Sequence, residues 1–178
     1  MIYNYRGTTI KVIKEDITKV ETEAIVNAAN NSLLGGGGVD GAIHRAGGPA
    51  ILEECKKLGG CPTGEAKITT GGNLPCQYVI HTVGPRYRGD NHQESKLLYN
   101  AYYNSLKVAV ENNVQTIAFP SISTGVYKYP LEKASEVAIK AVKDFLDTHQ
   151  DKIKEILFVL FSNQNYQLYL KKLSEMIK

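Results

Sequence analysis

The unbroken apolar run from Ile156 to Phe161 constrains the fold more than any other stretch of the chain. Such a run is typical of a strand that is covered on both faces. Apolar residues recur at helical spacing on either side of it, over 131–146 before the run and over 170–177 after it. A covered strand between two amphipathic helices predicts an α/β domain whose sheet is mostly parallel.

The same alternation of strand and helix extends over most of the 178 residues. Residue patterns and turn signals predict six strands, at 10–14, 24–26, 66–70, 78–82, 116–119 and 156–161. Helical spacing predicts helices over 39–58, with a break near Gly47–Pro49, and over 97–110, 131–146 and 170–177. Together they predict a three-layer α/β/α domain with a mixed, mostly parallel six-stranded sheet. Because no linker divides the chain, we expect residues 1–178 to form a single domain.

Composition excludes several classes of protein. Lysine and arginine exceed aspartate and glutamate by 21 − 18 = +3, and this surplus is scattered, so a nucleic-acid partner is not favoured. Three cysteines without a Cys-x-x-Cys pair argue against a disulfide framework and against a structural zinc site. With no apolar leader and no long apolar span, we expect a cytoplasmic, soluble monomer that has no membrane partner, metal or cofactor.

Four consecutive glycines, Gly35–Gly38, lie directly before the first predicted helix. Without a Cβ, such a loop can bring its N–H groups close to a ligand, and the helix N-terminus adds the positive end of its dipole. This combination suits a phosphate group, and the upstream asparagines suit sugar hydroxyls. The alternatives are a flexible linker and, for Asp40, an ordinary helix cap. The loop lacks the Lys-Ser/Thr pair of a Walker A loop.

A second loop, residues 121–130, follows the predicted strand that ends at Phe119. Its small hydroxyl residues and Gly125 could form another N–H cradle, and Tyr127 could cover a sugar ring. The alternative is a simple glycine turn. Both loops follow strands of the predicted sheet, at the edge where ligands of α/β proteins bind.

The chain resembles the macrodomain family, and within it the MacroD-type ADP-ribosyl hydrolases. The resemblance rests on Asn27-Ala-Ala-Asn30, on Leu33-Leu-Gly-Gly-Gly-Gly-Val-Asp-Gly-Ala-Ile-His44, and on Ile80-His-Thr-Val-Gly-Pro85. Phe119-Pro-Ser-Ile-Ser-Thr-Gly-Val-Tyr127 and Glu15-Asp-Ile-Thr18 support it, and the motifs occur in family order. The resemblance implies ADP-ribose as the ligand. It also implies removal of ADP-ribose from mono-ADP-ribosylated acidic side chains of proteins, or deacetylation of O-acetyl-ADP-ribose.

The resemblance also implies roles for particular residues at the adenine end of the ligand. Asp16 matches the aspartate that accepts a hydrogen bond from the adenine amino group, and Ile17 the neighbour whose main-chain N–H meets adenine. Phe161 matches the aromatic residue that flanks adenine, although an apolar core role is the alternative. Asn163, on the same loop, is expected near the proximal ribose.

At the other end, the resemblance assigns the diphosphate and the distal ribose. The diphosphate-clamping loops match Gly35, Gly36, Gly37, Gly38 and Val39, and then Ser123, Thr124, Gly125, Val126 and Tyr127. Asn30 and Asp40 match the contacts to the distal ribose beside the cleaved bond, and are the predicted catalytic residues. Asn27 lies nearby and is also predicted to bind the ligand; the alternative is that its side chain chiefly braces the loop. For His44 a packed or capping role is favoured over that of a base, and His81 is predicted to have a structural role.

Two departures from the family pattern leave substrate preference open. Glu15 stands where glycine is common, and Arg86-Tyr87 stands where an aliphatic-Trp pair is common. Two other functions remain open beside the hydrolase: a non-catalytic reader that only binds ADP-ribose, and a nucleic-acid module that uses the same cleft. Two routes for water activation also remain open, with Asp40 as general base or with the substrate's own phosphate holding the water.

Overall fold

A computed structural model of the chain describes residues 2–89 and 93–177. Its strands are β1 Ile2–Tyr5, β2 Thr8–Lys14, β3 Ala24–Ala28, β4 Ala66–Thr70, β5 Tyr78–Thr82, β6 Thr116–Phe119 and β7 Glu155–Leu160. Its α-helices are α1 Gly38–Gly47, α2 Pro49–Leu58, α3 Glu94–Glu111, α4 Leu131–Thr148 and α5 Asn163–Met176, and a short 3-10 helix covers Ile17–Lys19. Within the described residues, no helix is both long and apolar enough to cross a membrane.

The seven strands form one mixed sheet in the order β1-β2-β7-β6-β3-β5-β4. Strands β2, β7, β6, β3 and β5 run parallel to one another, whereas the edge strands β1 and β4 pair antiparallel with β2 and β5. The predicted class, a mixed and mostly parallel sheet, is therefore confirmed. The predicted strand count of six is wrong because β1 was missed. This strand has four residues with no buried side chain, and its Ile2 is 61% exposed, so it carries no core-facing pattern.

Helices cover both faces of the sheet, as predicted. One core cluster joins α3, α4 and α5 to the sheet through residues such as Leu98, Phe145 and Tyr169. A second cluster packs Ile43 of α1 and Ile51 of α2 against the opposite face. Alternate residues of each central strand therefore enter different cores, which explains why these strands are apolar on both sides.

The element boundaries differ from the prediction in two places that affect the site. Helix α5 begins at Asn163 instead of 170, because Ser162 accepts a hydrogen bond from the Asn165 N–H at 3.2 Å and caps the helix. Strand β7 ends at Leu160, so Phe161 lies outside the sheet. The predicted break in the 39–58 helix is confirmed, since α1 ends at Gly47 and α2 starts at Pro49.

Candidate functional site

The first glycine loop connects β3 to the N-terminus of α1. Gly37 is the N-cap residue of α1, and no side chain caps this end of the helix. Gly38 has a φ of +57°, a backbone conformation that favours glycine. A Cβ placed on Gly37 or Gly38 would meet no atom within 4 Å. The first-turn N–H groups of α1 therefore border open space, as an anion site requires. A flexible linker is not what the structure shows.

Asp40 lies in the first turn of α1 but does not cap it. Its side chain is only 5% exposed, and Oδ1 accepts a hydrogen bond of 2.8 Å from Asn27 Nδ2. His44 Nε2 lies 3.4 Å from the same oxygen, one helical turn along. A Cβ on Gly36 would be 3.2 Å from Asp40 Oδ2 and 3.4 Å from Asn30 Nδ2. The side chains of the two predicted catalytic residues therefore both lie on the same side of Gly36.

Asn30 shapes the first loop through both ends of its amide. Nδ2 donates to the Gly35 carbonyl at 2.9 Å, while Oδ1 accepts from the Ser32 N–H at 3.1 Å and from its hydroxyl at 2.6 Å. These bonds bridge Asn30 to both sides of Leu33, which has a φ of +62°. Loss of the Asn30 amide would therefore loosen the backbone beside Asp40 as well as remove a polar group.

Asn27 lies beneath Asp40 and is completely buried. Its Nδ2 also lies 3.1 Å from His81 Nδ1, and His81 Nε2 lies 2.9 Å from Thr69 Oγ1. Burial lowers the pKa of His81 to about 3, so the ring is neutral near pH 7. Because Nδ1 accepts from Asn27, the ring proton is on Nε2 and is donated to Thr69. Asn27 thus holds Asp40 in place, as the bracing alternative expects. Its side chain is fully buried, so the structure does not support the predicted direct contact with the ligand.

The second loop is an ordered turn whose base is fixed by a helix. Tyr102 of α3 donates its hydroxyl to the Pro120 carbonyl at 3.2 Å and accepts from the Ile122 N–H at 3.0 Å. Ser123 has a φ of +67° and is 7% exposed, and its carbonyl accepts from the Tyr129 N–H at 2.9 Å. The tip, by contrast, is open: a Cβ on Gly125 would contact nothing within 4 Å, and Val126 is 89% exposed.

The residues predicted for adenine meet where β2 and β7 end. The Glu15 N–H donates to the Leu160 carbonyl at 3.1 Å, so Asp16 and Phe161 follow paired strand ends. Asp16 Oδ1 accepts from the Thr18 hydroxyl at 2.7 Å and from its N–H at 3.0 Å, and these bonds lower the pKa of Asp16. Phe161 is 83% exposed, so it is not the core residue of the alternative interpretation.

The remaining predicted residues lie beside these groups. The Ile17 side chain is buried in the core below α1, which leaves only its main chain for a ligand. Asn163 is exposed at the first position of α5. The order of strands in the sheet determines where each loop lies in the candidate site. The loops after β2 and β7 lie at one end of the site, and those after β6 and β3 lie at the other. The candidate site is therefore elongated, with Phe161 and Asp16 at one end and the uncapped N-terminus of α1 at the other.

Sequence reasoning missed three long-range contacts in and around the site. Tyr102 anchors the second loop, His81 supports Asn27, and Arg86 lies with its guanidinium 5.2 Å from the Tyr127 ring centre. Each contact spans a sequence separation of 18 residues or more. A single sequence carries no local signal for such partners, although His81 and Arg86 both lay in or beside a recognised motif.

The fold and the loops define a class of α/β protein with glycine-containing loops at the carboxyl edge of a mixed, mostly parallel sheet. The family model for the Macro domain matches residues 26–138, and the chain belongs to this family. The resemblance drawn from the motifs is thereby confirmed.

Two curated relatives and one solved structure show how close the similarity is. The chain is 58% identical to a macro domain-containing protein of Caldanaerobacter subterraneus, over 95% of this chain and 98% of the relative. It is 52% identical to an O-acetyl-ADP-ribose deacetylase of Escherichia fergusonii, over 93% and 96% of the two chains. A mutant macrodomain of Oceanobacillus iheyensis, solved with ADPR, superposes with a TM-score of 0.94 at 42% identity, over 98% of this chain and 97% of that one.

Proposed function

We propose that this protein is a hydrolase that removes ADP-ribose from mono-ADP-ribosylated acidic side chains and deacetylates O-acetyl-ADP-ribose. The observation that carries the proposal is Asp40, a buried carboxylate that Asn27 holds beside Asn30 next to an uncapped helix N-terminus. The deacetylase name of one relative and the ADPR in one neighbouring structure support it. Both substrates present the same reacting group, an ester between a carboxyl group and the distal ribose.

The ligand spans the elongated cleft in this proposal. The adenine amino group donates to Asp16 and the ring packs on the exposed face of Phe161, with Ile17 main chain and Asn163 nearby. The diphosphate lies between the first-turn N–H groups of α1 and the second loop, where the helix dipole stabilises its charge. The distal ribose then reaches Asn30 and Asp40 at the far end.

The chemistry is attack by water, and the chain's own thiols are poorly placed for a covalent route. All three cysteines are buried, and burial raises the pKa of Cys55 to about 11, so it carries almost no thiolate near pH 7. Water adds to the ester, the bond between the carboxyl group and the ribose breaks, and a free carboxylate and a ribose hydroxyl result. Asp40 either accepts the proton of the water or fixes the ribose while the substrate phosphate orients the water.

The test is turnover of a mono-ADP-ribosylated carboxylate by wild-type protein and by Asp40→Ala. We expect kcat to fall by roughly 10²–10⁴-fold, the range for loss of general-base help, while ADP-ribose affinity falls far less because the adenine and diphosphate contacts remain. Asp40→Asn retains an acceptor for Asn27 and isolates the effect of the charge. Glu111→Gln, an exposed carboxylate at the end of α3, is the matched control.

Two results would count against this mechanism. Near-wild-type turnover by Asp40→Ala would show that Asp40 does not act in the reaction. Tight ADP-ribose binding by the wild-type protein without any release of product would favour the non-catalytic reader instead.

A further inference from the structure

A groove beside the second loop is rich in positive charge. We call it the cationic groove; it has a volume of about 340 Å³ and is lined by Arg86, Tyr87, Arg88, Val126, Tyr127 and Lys128. We propose that the cationic groove binds acidic residues that flank the modified carboxylate of a protein substrate. The proposal rests on the proposed function, because it extends the same substrate beyond its ADP-ribose.

The groove adjoins the reactive end of the cleft. Its first wall follows β5 and its second wall follows β6, and these strands lie on either side of β3 in the sheet. Strand β3 leads into the loop that carries Asn30 and then to Asp40. The two walls are joined where the Tyr87 N–H donates to the Tyr127 carbonyl at 2.9 Å. A peptide attached through the distal ribose therefore leaves the cleft next to this groove.

The positive charge of the groove is available to a ligand. Arg86, Arg88 and Lys128 are all exposed. Among residues 2–89 and 93–177, none of the three takes part in a side-chain ion pair. The buried Glu94 carboxylate accepts from the Arg88 main-chain N–H at 2.7 Å, so it fixes the backbone of this wall. Guanidinium groups bind carboxylates with paired hydrogen bonds, which gives the groove a preference for acidic side chains.

The aromatic rings of the groove argue against single-stranded nucleic acid as its ligand. Base stacking needs a free ring face. The Arg86 guanidinium lies over the Tyr127 ring, while the Tyr87 ring has Lys133 at 5.9 Å and packs on Tyr129 at 4.8 Å. These cations already cover ring faces. The net charge of +3 is spread along the chain, so the sequence has no long run of basic residues that would extend the groove along a nucleic-acid strand.

The experiment compares three substrates: a mono-ADP-ribosylated peptide with flanking glutamates, the same peptide with flanking glutamines, and O-acetyl-ADP-ribose. Wild-type protein should show a lower KM for the glutamate peptide than for the glutamine peptide. Arg86→Gln/Arg88→Gln should raise the KM for the glutamate peptide by about 2- to 30-fold, the range for two exposed ion pairs, and remove the preference. Arg88→Gln alone, which spares the contact with Tyr127, should remove part of it.

The matched control is Lys152→Ala/Lys154→Ala. It removes two exposed positive charges just before β7, at the amino ends of the parallel strands and so on the opposite side from the cleft. It should therefore leave the peptide preference intact. Turnover of O-acetyl-ADP-ribose, which carries no peptide, is the internal reference for each variant. An unchanged preference in the arginine variants, or an equal loss with O-acetyl-ADP-ribose, would overturn the proposal.

Direct binding separates this proposal from the proposed function. Fluorescent hexaglutamate and a thymidine hexanucleotide are titrated with the protein at low salt, with anisotropy as the readout. Hexaglutamate should bind wild-type protein and lose affinity in the arginine variants, even if no ester is hydrolysed. Tighter arginine-dependent binding of the oligonucleotide, or hexaglutamate binding that ignores both arginines, would reject an acidic peptide as the ligand. Failure of wild-type protein to turn over any ester would reject the hydrolase alone.

Discussion

At the scale of single residues, a buried chain of hydrogen bonds connects Asp40 to strand β4. It runs from Asp40 through Asn27 and His81 to Thr69, with distances of 2.8, 3.1 and 2.9 Å. Each member needs a defined protonation state, because Asn27 donates to both neighbours and His81 must therefore accept at Nδ1. A charged His81 would offer a donor where Asn27 already has one. The position of Asp40 thus depends on a neutral imidazole in the core.

The buried His81 in this hydrogen-bond network makes the free energy of unfolding depend on pH. Burial holds the pKa of His81 at about 3, below the usual 6.5, so between these values the unfolded chain binds a proton that the folded protein does not. The stabilising contribution of neutral His81 to the free energy of unfolding is fully present above about pH 6.5. It falls as the pH decreases, by up to about 1.4 kcal/mol per pH unit. Urea unfolding at pH 7 and pH 5 should show this loss in wild type and less of it in His81→Gln. His149→Gln, at the end of α4, is the control; equal slopes in all three proteins would contradict the prediction.

Asp16 provides a test of the adenine end. Asp16→Asn keeps an oxygen for Thr18 but presents an NH₂ group where the adenine amino group needs an acceptor. We expect ADP-ribose affinity to fall by about 1–3 kcal/mol, the range for an unsatisfied polar group. Calorimetric titration with ADP-ribose measures this, with Asp151→Asn as an exposed control at the other edge of the sheet. Unchanged affinity in Asp16→Asn would remove Asp16 from the site.

At the scale of elements, the strands with a core face were predictable and the exposed edge strand β1 was not. Strand β7 is buried on both faces, and its apolar run was visible in the sequence. Strand β1 has only one neighbour and no buried residue, so the pattern that identifies a strand was absent. The glycine loop was predictable because glycine and helix-start signals are local. The anchoring of the second loop by Tyr102 was not predictable, because in the sequence Tyr102 is only one of the residues on the core-facing side of α3.

Tyr102 connects helix α3 to the shape of the second loop. Tyr102→Phe leaves the Pro120 carbonyl and the Ile122 N–H without this partner inside the core. We expect about 1–3 kcal/mol loss in the free energy of unfolding and a weaker affinity for ADP-ribose, because the loop base is released. Urea unfolding and calorimetry give the two values. Tyr103→Phe, on the same helix, is the control, and equal effects of the two substitutions would show that the loop does not depend on Tyr102.

At the scale of the whole molecule, the order of strands creates the site. The loops after β2, β7, β6 and β3 come from four distant parts of the chain, and the sheet brings their ends to one edge. The sequence predicts that they share this edge because parallel strands point the same way. It does not predict which loops are neighbours, since that depends on the order of strands. The cationic groove was hidden for this reason, as Arg86 and Tyr127 follow strands that flank β3.

The same arrangement predicts that turnover needs no metal ion. No cluster of three or more His, Cys, Asp or Glu side chains in the described part of the chain is arranged to hold one, and Asn27 already occupies Asp40 Oδ1. The N–H groups of α1 and the second loop can neutralise the diphosphate instead. Ester hydrolysis should therefore keep its wild-type rate after enzyme and substrate are both treated with excess chelator. A loss of activity that one divalent metal restores, in buffer where that metal alone does not cleave the ester, would show that the diphosphate is held through a cation and not by these N–H groups.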